Sequence, residues 1–229
     1  MKLGIMQPYF FPYIGYFQLI NAVNQFIIYD DVNYIKQGWI NRNRILIDGK
    51  PSYITLPLSE ASSFKKIIEI KIKINPKKLL RTITQSYKKA PYFFNVFPLI
   101  EDILTFDEQN LAKFVSNSIL KVSNYLDINT SFISSSEMQI GNELKGKDRV
   151  IFLCNLLNAN YYYNTIGGID LYSKEEFSTH GIKLSFIKTK EITYKQFDDT
   201  FVPNLSIIDV MMFNSKDEIK KMLNEYELI

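Results

Sequence analysis

Lys2-Leu3-Gly4-Ile5-Met6, the loop Gln7-Pro8-Tyr9-Phe10-Phe11-Pro12-Tyr13-Ile14-Gly15 and the run Phe26-Ile27-Ile28-Tyr29 decide the fold. The first segment is apolar and is halted by Pro8, so it reads as a buried strand entering a loop. Pro12 and Gly15 bracket that loop. Beyond them Tyr16, Leu19, Ile20 and Val23 recur at helical spacing, which predicts a helix over residues 15–24. The third segment is compact and apolar and stops at Asp30-Asp31. Strand, loop, helix and strand within about thirty residues make a crossover unit, and such units join parallel strands.

Farther along, residues 39–47 and 52–56 flank Asp48-Gly49, a hairpin turn signal. Ile68, Ile70, Ile72 and Ile74 alternate with Glu69, Lys71 and Lys73, predicting a half-buried strand with one wet face. Asn75-Pro76 opens a helical stretch through Leu79, Leu80, Ile83 and Tyr87, and residues 94–104 and 111–126 read as two more amphipathic helices. After Thr130 the alternation of strand and helix returns: strand at 131–134, helix at 148–157, strand at 161–166 ended by Gly167-Gly168, and strand at 183–187. Residues 215–226 read as a closing helix, capped by Ser215, with Asp217 and Glu218 in its first turn. The expected fold is α/β, a mainly parallel sheet core with a β-hairpin insertion and a helical middle section. One domain is expected over residues 1–229, with its α/β core at about 1–74 and 130–229 and its helical section at about 75–129.

A hydrophobic fraction of 46% beside 22% charged residues is enough to bury a sizeable core. The 17 Phe and 15 Tyr fit a rich core or an aromatic-lined pocket equally well. A net charge of +3, with Lys and Glu interleaved, lacks the basic stripe of a nucleic-acid binder. One cysteine excludes an intrachain disulfide framework and a cysteine-based zinc site. Pro8 and Pro12 break any signal-like apolar stretch, and no long uncharged run follows, so a cytoplasmic protein without a membrane span is expected.

Ligands of open parallel sheets sit beyond the carboxyl ends of the strands. Residues 7–15 occupy that place. Gln7, Tyr9 and Tyr13 are candidate ligand contacts, with the prolines stiffening the wall and Gly15 allowing close approach at a helix start that favours anions. Phe10, Phe11 and Phe17 read as packing. Asp30 and Asp31 could orient a sugar hydroxyl, act as a general base or hold a hard cation, or merely cap a turn. Neighbours on an extended chain point to opposite faces, so one of the two is expected in the site. Lys36, Arg42 and Arg44 offer cations for phosphate or carboxylate, Asn41 and Asn43 suit sugar hydroxyls, and Trp39 offers a stacking face. Asn41 and Asn43 share one strand face and Arg42 and Arg44 the other.

Weaker signals follow. Residues 141–149 form a basic, glycine-containing loop before a helix, and Gly167-Gly168-Ile169-Asp170 is a second candidate ligand turn, through Gly168 and Asp170. Asp209 reads as the fourth position of a capping box begun by Ser206. His180 reads as a surface residue and Cys154 as core. No metal ligand set is assigned, and acid–base work falls to carboxylate, tyrosine, lysine or a substrate amine.

The run from Ile5 to Phe17 resembles the opening of the WbqC-like family. Tyr29-Asp30-Asp31-Val32, Gly38-Trp39-Ile40-Asn41-Arg42-Asn43 and the stretch from Phe201 to Asp209 fit the same resemblance. It implies a part in bacterial O-antigen, lipopolysaccharide or other surface polysaccharide biosynthesis, and it supplies no catalytic residues to carry over. A looser similarity is to Rossmann-like adenylate-forming and nucleotidyl-transferring enzymes. Their His-x-Gly-His signature is replaced here by Tyr13-Ile14-Gly15-Tyr16, and tyrosine cannot copy an imidazole that stabilises phosphate charge.

The leading expectation is a transferase or ligase that acylates or aminoacylates a nucleotide-linked amino sugar. Asp30, Asp31 and Lys36 would be catalytic, the Arg42 and Arg44 cluster would hold the diphosphate, and a small acyl or amino-acid donor would be the second partner. The alternatives are a non-catalytic binder of nucleotide sugar or glycan intermediate, and a magnesium-dependent nucleotidyltransferase. ATP and magnesium are the candidate cofactors, and a homodimer is compatible with the aromatic content.

Overall fold

The computed structural model describes residues 1–73 and 75–229. Strand β1 (Lys2–Met6) lies inside the main sheet, and its Leu3, Gly4 and Ile5 are all buried, as expected of a parallel strand covered on both faces. The chain leaves β1 at Pro8, forms helix α1 (Ile14–Ala22) and returns as β2 (Gln25–Ile28), parallel to β1 with Leu3 opposite Gln25. Helix α1 is buried continuously from Ile14 to Ile20. Gln18, its buried polar residue, donates to the Met222 and Glu225 carbonyls at 2.7 and 3.0 Å and accepts from Thr189 at 2.7 Å.

The hairpin forms as expected: β3 (Arg42–Ile47) and β4 (Lys50–Thr55) pair antiparallel. Asp48 and Gly49 both take positive φ, 50° and 70°, the pair of conformations that a two-residue hairpin turn demands. A short ladder joins β5 (Leu58–Ser59) to β6 (Lys71–Ile72). The alternation read as a strand from Ile68 onward is realised only there, and Ile74 lies outside the described residues. Residues Ile67–Glu69 instead make a 3-10 turn, closed by the Glu69 carboxylate on the Lys66 N–H at 2.6 Å, which buries Ile67 and Ile70 together.

The helical section follows as α2 (Pro76–Tyr87), α3 (Phe93–Leu104) and α4 (Leu111–Tyr125). Asn75 caps α2 by accepting from the Lys78 N–H at 3.2 Å, with Pro76 at the position that needs no N–H. Strand β7 (Ser131–Ser134) then lies beside β2, followed by α5 (Ser135–Met138) and α6 (Gly146–Leu156). Strand β8 (Tyr161–Thr165) comes back on the other side of β1, and β9 (Lys183–Thr189) follows it after α7 (Lys174–Thr179). The chain closes with α8 (Ile207–Phe213), α9 (Lys216–Met222) and β10 (Tyr226–Leu228).

The six-stranded sheet has the order β10-β9-β8-β1-β2-β7 and is parallel except for β10, which runs antiparallel to β9. The closing helix read to residue 226 therefore stops at Met222. Tyr226 pairs with Thr189 and covers what would be an open strand edge. One face of the sheet packs α1 and the helical section, and the other packs Leu3, Ile5 and Ile27 against Val150, Leu153 and Phe177. No helix among the described residues is long and apolar enough to cross a membrane.

Candidate functional site

The chain leaves β1 toward β2 on one side and later returns to β8 on the other, so the connections diverge at the carboxyl ends of β1 and β8. A crevice opens where connections part in this way. Here it is a cleft of about 500 Å³ walled by Gln7, Tyr9, Tyr13, Tyr29, Gly168 and Tyr172. A second cleft of about 230 Å³, lined in part by Arg44 and Asn204, shares Tyr9, Tyr13 and Trp39 with the first. A third of about 420 Å³ shares Tyr13 and Asn204 with the second. Tyr13 thus stands as a wall of all three.

The loop that carries Tyr9 and Tyr13 turns sharply at Phe11, whose φ of 41° lies in the left-handed region. For a phenylalanine that conformation costs about 1–3 kcal/mol. Hydrogen bonds hold it in place. Asn43 Nδ2 donates to the Phe10 and Phe11 carbonyls at 3.1 and 2.9 Å, and Ser206 Oγ donates to Phe11 O at 2.7 Å. Phe10 N donates to Trp39 O at 3.0 Å, and the buried Tyr16 hydroxyl donates to Gln7 O at 2.9 Å. Phe10, Phe11 and Phe17 are fully buried, so the turn drives two aromatics down and leaves Tyr9 and Tyr13 partly exposed.

Gly15 sits behind Tyr13. A Cβ there would lie 2.4 Å from the Tyr13 ring and 2.6 Å from Thr189 Oγ1. Gly15→Ala is therefore expected to push the ring aside and to lower stability by about 1–3 kcal/mol, the usual cost of overpacking. Denaturant unfolding measures it, and an unchanged midpoint would mean that the ring gives way freely.

Asp30 and Asp31 do not point to opposite faces. They follow β2 where the strand has ended, and Ser135 Oγ lies within bonding reach of both carboxylates. Asp30 also accepts from Ser136 N at 2.9 Å and Ser136 Oγ at 2.7 Å, tying the end of β2 to the start of α5. Asp31 is paired with Arg149, a buried residue of α6 rather than of the preceding basic loop. Arg149 donates as well to Asn142 Oδ1 at 2.9 Å, and its guanidinium lies 5.1 Å from the centre of the Tyr29 ring. Each oxygen of both carboxylates already has a protein donor.

Residues 7–221 match the WbqC-like protein family. The chain belongs to the WbqC-like family. It is also 29% identical over 219 residues to the uncharacterized protein Rv1507c of Mycobacterium tuberculosis (strain ATCC 25618 / H37Rv), with 93% of each chain covered. No solved structure matches it. The family match begins at Gln7 and so takes in both walls of the switch-point cleft, from the loop after β1 to the turn after β8.

In this WbqC-like protein the polar run after β2 divides. Arg44 lines the second cleft, donates to Asn204 O at 3.2 Å and lies 5.7 Å from the Trp39 ring, while its buried Nε has no partner. Arg42 turns the other way, stacking 4.5 Å from the Tyr53 ring centre and donating to Gly38 O at 3.2 Å and to Gln37 O. Lys36 and Asp170 are exposed and, like Arg42, line none of the three clefts. Asn41 and Asn43 share the buried face, as the alternation predicts. Asn41 accepts from the Tyr34 hydroxyl at 2.8 Å and donates to Leu56 O at 2.9 Å, and Asn43 holds the Phe11 turn. Their amides are engaged inside the protein.

The ionisable side chains lining the switch-point cleft are the phenols of Tyr9, Tyr13, Tyr29 and Tyr172. Burial pushes all four above the ordinary phenol value, with Arg149 pulling partly the other way at Tyr29. At neutral pH the side chains lining this cleft are therefore uncharged, and Arg44 brings a positive charge to the adjoining one. Tyr29, Tyr172 and Asn204 escaped the reading of the sequence as site residues. Tyr29 carried a usable signal, since it directly follows the strand next to β1.

Asp209 is not part of a capping box. Ser206 caps α8 by accepting from Ile208 N at 3.2 Å, but the Ser206 N–H is spent on Arg44 O at 2.8 Å, leaving nothing for Asp209 to receive there. The fully buried Asp209 carboxylate instead accepts from Tyr87 Oη at 2.8 Å, Tyr194 Oη at 2.7 Å and Gln196 Nε2 at 2.8 Å. Two other expectations fit the structure. His180 is exposed, and Cys154 is buried in the core, where burial pushes its thiol up to about 12.

Proposed function

We propose that this WbqC-like protein binds a nucleotide-activated amino sugar along the groove from Gly168 to Arg44 and modifies its amino group during bacterial surface polysaccharide assembly. One observation carries the reading. The two clefts share Tyr9, Tyr13 and Trp39 as walls, so an uncharged aromatic pocket and the Arg44 cation adjoin. A nucleotide sugar has that polarity, with flat or hydroxyl-rich ends around an anionic diphosphate. We read the sheet order as Rossmann-like, with the ligand at its switch point, and the chain as one domain.

Acyl or aminoacyl transfer needs the sugar amine neutral. A cleft lined by protonated phenols and apolar side chains disfavours the ammonium form and so supports the nucleophile without a carboxylate base. Asp31 then acts as a positioning residue that holds Arg149 against Tyr29, while Asp30 ties the end of β2 to α5. A second reading, a non-catalytic carrier of the nucleotide sugar, draws support from the same lining, which contains no imidazole or carboxylate. Product formation from the amino-sugar nucleotide and an activated acyl donor separates the two.

Titration calorimetry with an amino-sugar nucleotide, the free nucleotide and the free sugar tests the site. Arg44→Ala is expected to weaken the nucleotide sugar about 10- to 100-fold, the loss of a charge-assisted hydrogen bond. Arg42→Ala and Lys36→Ala are expected to leave it unchanged. No binding of any nucleotide sugar, or an unaffected Arg44→Ala, would sink the proposal.

A further inference from the structure

The third cleft lies on the far side of Tyr13, beyond the end of β9. Its floor is apolar, made by the buried Ile14, Leu205 and Val210. Its rim is not. Lys190 and Glu191, consecutive along the chain, are both among its lining residues, as are Thr189, whose hydroxyl is spent on Gln18, and Thr193. Lys190 is tied only to Glu225, at 3.5 Å and with both side chains about half exposed, a kind of pair that contributes little and opens readily. Glu191 forms no salt bridge among the described residues.

We infer that this cleft binds a small α-amino acid, its ammonium on Glu191, its carboxylate at Lys190 and its side chain on the apolar floor. Opposite charges in adjacent positions select a zwitterion. A simple carboxylic acid would meet the Glu191 charge without compensation, and a simple amine would meet that of Lys190. The volume of about 420 Å³ lies within the range of small-molecule sites. The wall beside the rim is fixed from behind, since Tyr194 is anchored to buried Asp209 at 2.7 Å. Because Tyr13 and Asn204 are walls of both this cleft and the one that holds Arg44, both ligands would lie against one aromatic ring. That the amino acid is the second substrate rests on the nucleotide-sugar reading; that it binds here does not.

Backbone amide chemical shifts of the full chain, titrated with L-valine, 3-methylbutanoate and isobutylamine, test the inference. Valine is expected to move the amides of residues 189–194, and the two half-molecules to bind at least about tenfold more weakly. Glu191→Gln and Lys190→Gln should each weaken valine about tenfold while leaving the spectrum otherwise intact. The inference is overturned if valine leaves residues 189–194 unmoved, with or without nucleotide sugar, if either half-molecule binds as well, or if both variants keep full affinity. Nucleotide-sugar binding is read separately through Arg44→Ala, so either proposal can fail while the other stands.

Discussion

Arg149→Ala is expected to lower the unfolding free energy by about 3–5 kcal/mol, the cost of leaving one member of a buried ion pair alone. The side chains of Arg149 and Asp31 are 4% and 6% exposed, so water cannot readily replace the missing partner. Burial works against the Arg149 charge, yet its bonds to Asp31 and Tyr29 hold its pKa above the ordinary value. Truncation would leave the Asp31 carboxylate with Ser135 as its remaining partner, next to the carboxylate of Asp30. For a chain of this length the loss corresponds to roughly 6–20 °C in Tm. Adding Asp31→Ala to Arg149→Ala should recover part of it, because the uncompensated charge is then gone. A loss below about 1 kcal/mol in the single variant would show that solvent reaches the pair. Tyr29 would also lose the guanidinium packed against it, so under the proposed function nucleotide-sugar affinity should fall even in the fraction that remains folded.

What could be read from the sequence was local. The strand, loop and helix through Ala22 announce themselves because prolines interrupt one apolar run and glycine permits the next turn. Asp48-Gly49 fixes its hairpin because both residues tolerate positive φ. The loop after β1 was legible as a candidate wall for the same reason, since its place follows from strand and helix order alone. Partnership across the chain was not legible. Asp30 meets Ser135 at a separation of 105 residues and Tyr87 meets Asp209 at 122, and no periodicity encodes such meetings. Alternation correctly put Asn41 with Asn43, but it could not say that this pair turns inward, nor that the Arg42 and Arg44 guanidiniums part, one to Tyr53 and the other to the second cleft. The asparagines turn inward because the carbonyls of Leu56, Phe10 and Phe11 accept from their amides. The end of the closing helix was missed because β10 exists only where β9 offers an edge.

Asp209→Ala is the second large effect expected, again about 3–5 kcal/mol. Its carboxylate gathers donors from α2 and from the segment after β9, and its loss strands the Tyr87 and Tyr194 hydroxyl protons at about 1–3 kcal/mol each. Gln196 is less affected, because its Nε2 also donates to Val202 O at 3.1 Å. Amide hydrogen exchange should therefore accelerate first in residues 190–202, the wall of the third cleft, before the sheet is touched. Asp209→Asn separates packing from charge. Burial raises the Asp209 carboxyl above its ordinary value, against the lowering effect of the Tyr194, Tyr87 and Gln196 bonds. The folded state therefore favours the neutral acid more than the unfolded chain does. The stability due to this group is greatest below the unfolded pKa and is lost as pH rises from there through the higher folded value. Exposed Asp127, Glu175 and Glu218 are shifted downward and tilt the profile the opposite way. Subtracting the Asp209→Asn profile from that of the native chain cancels those groups, and the difference should fall with rising pH across the acidic range. A difference that rises instead would mean that the three donors outweigh burial and that Asp209 is held as a carboxylate by its partners.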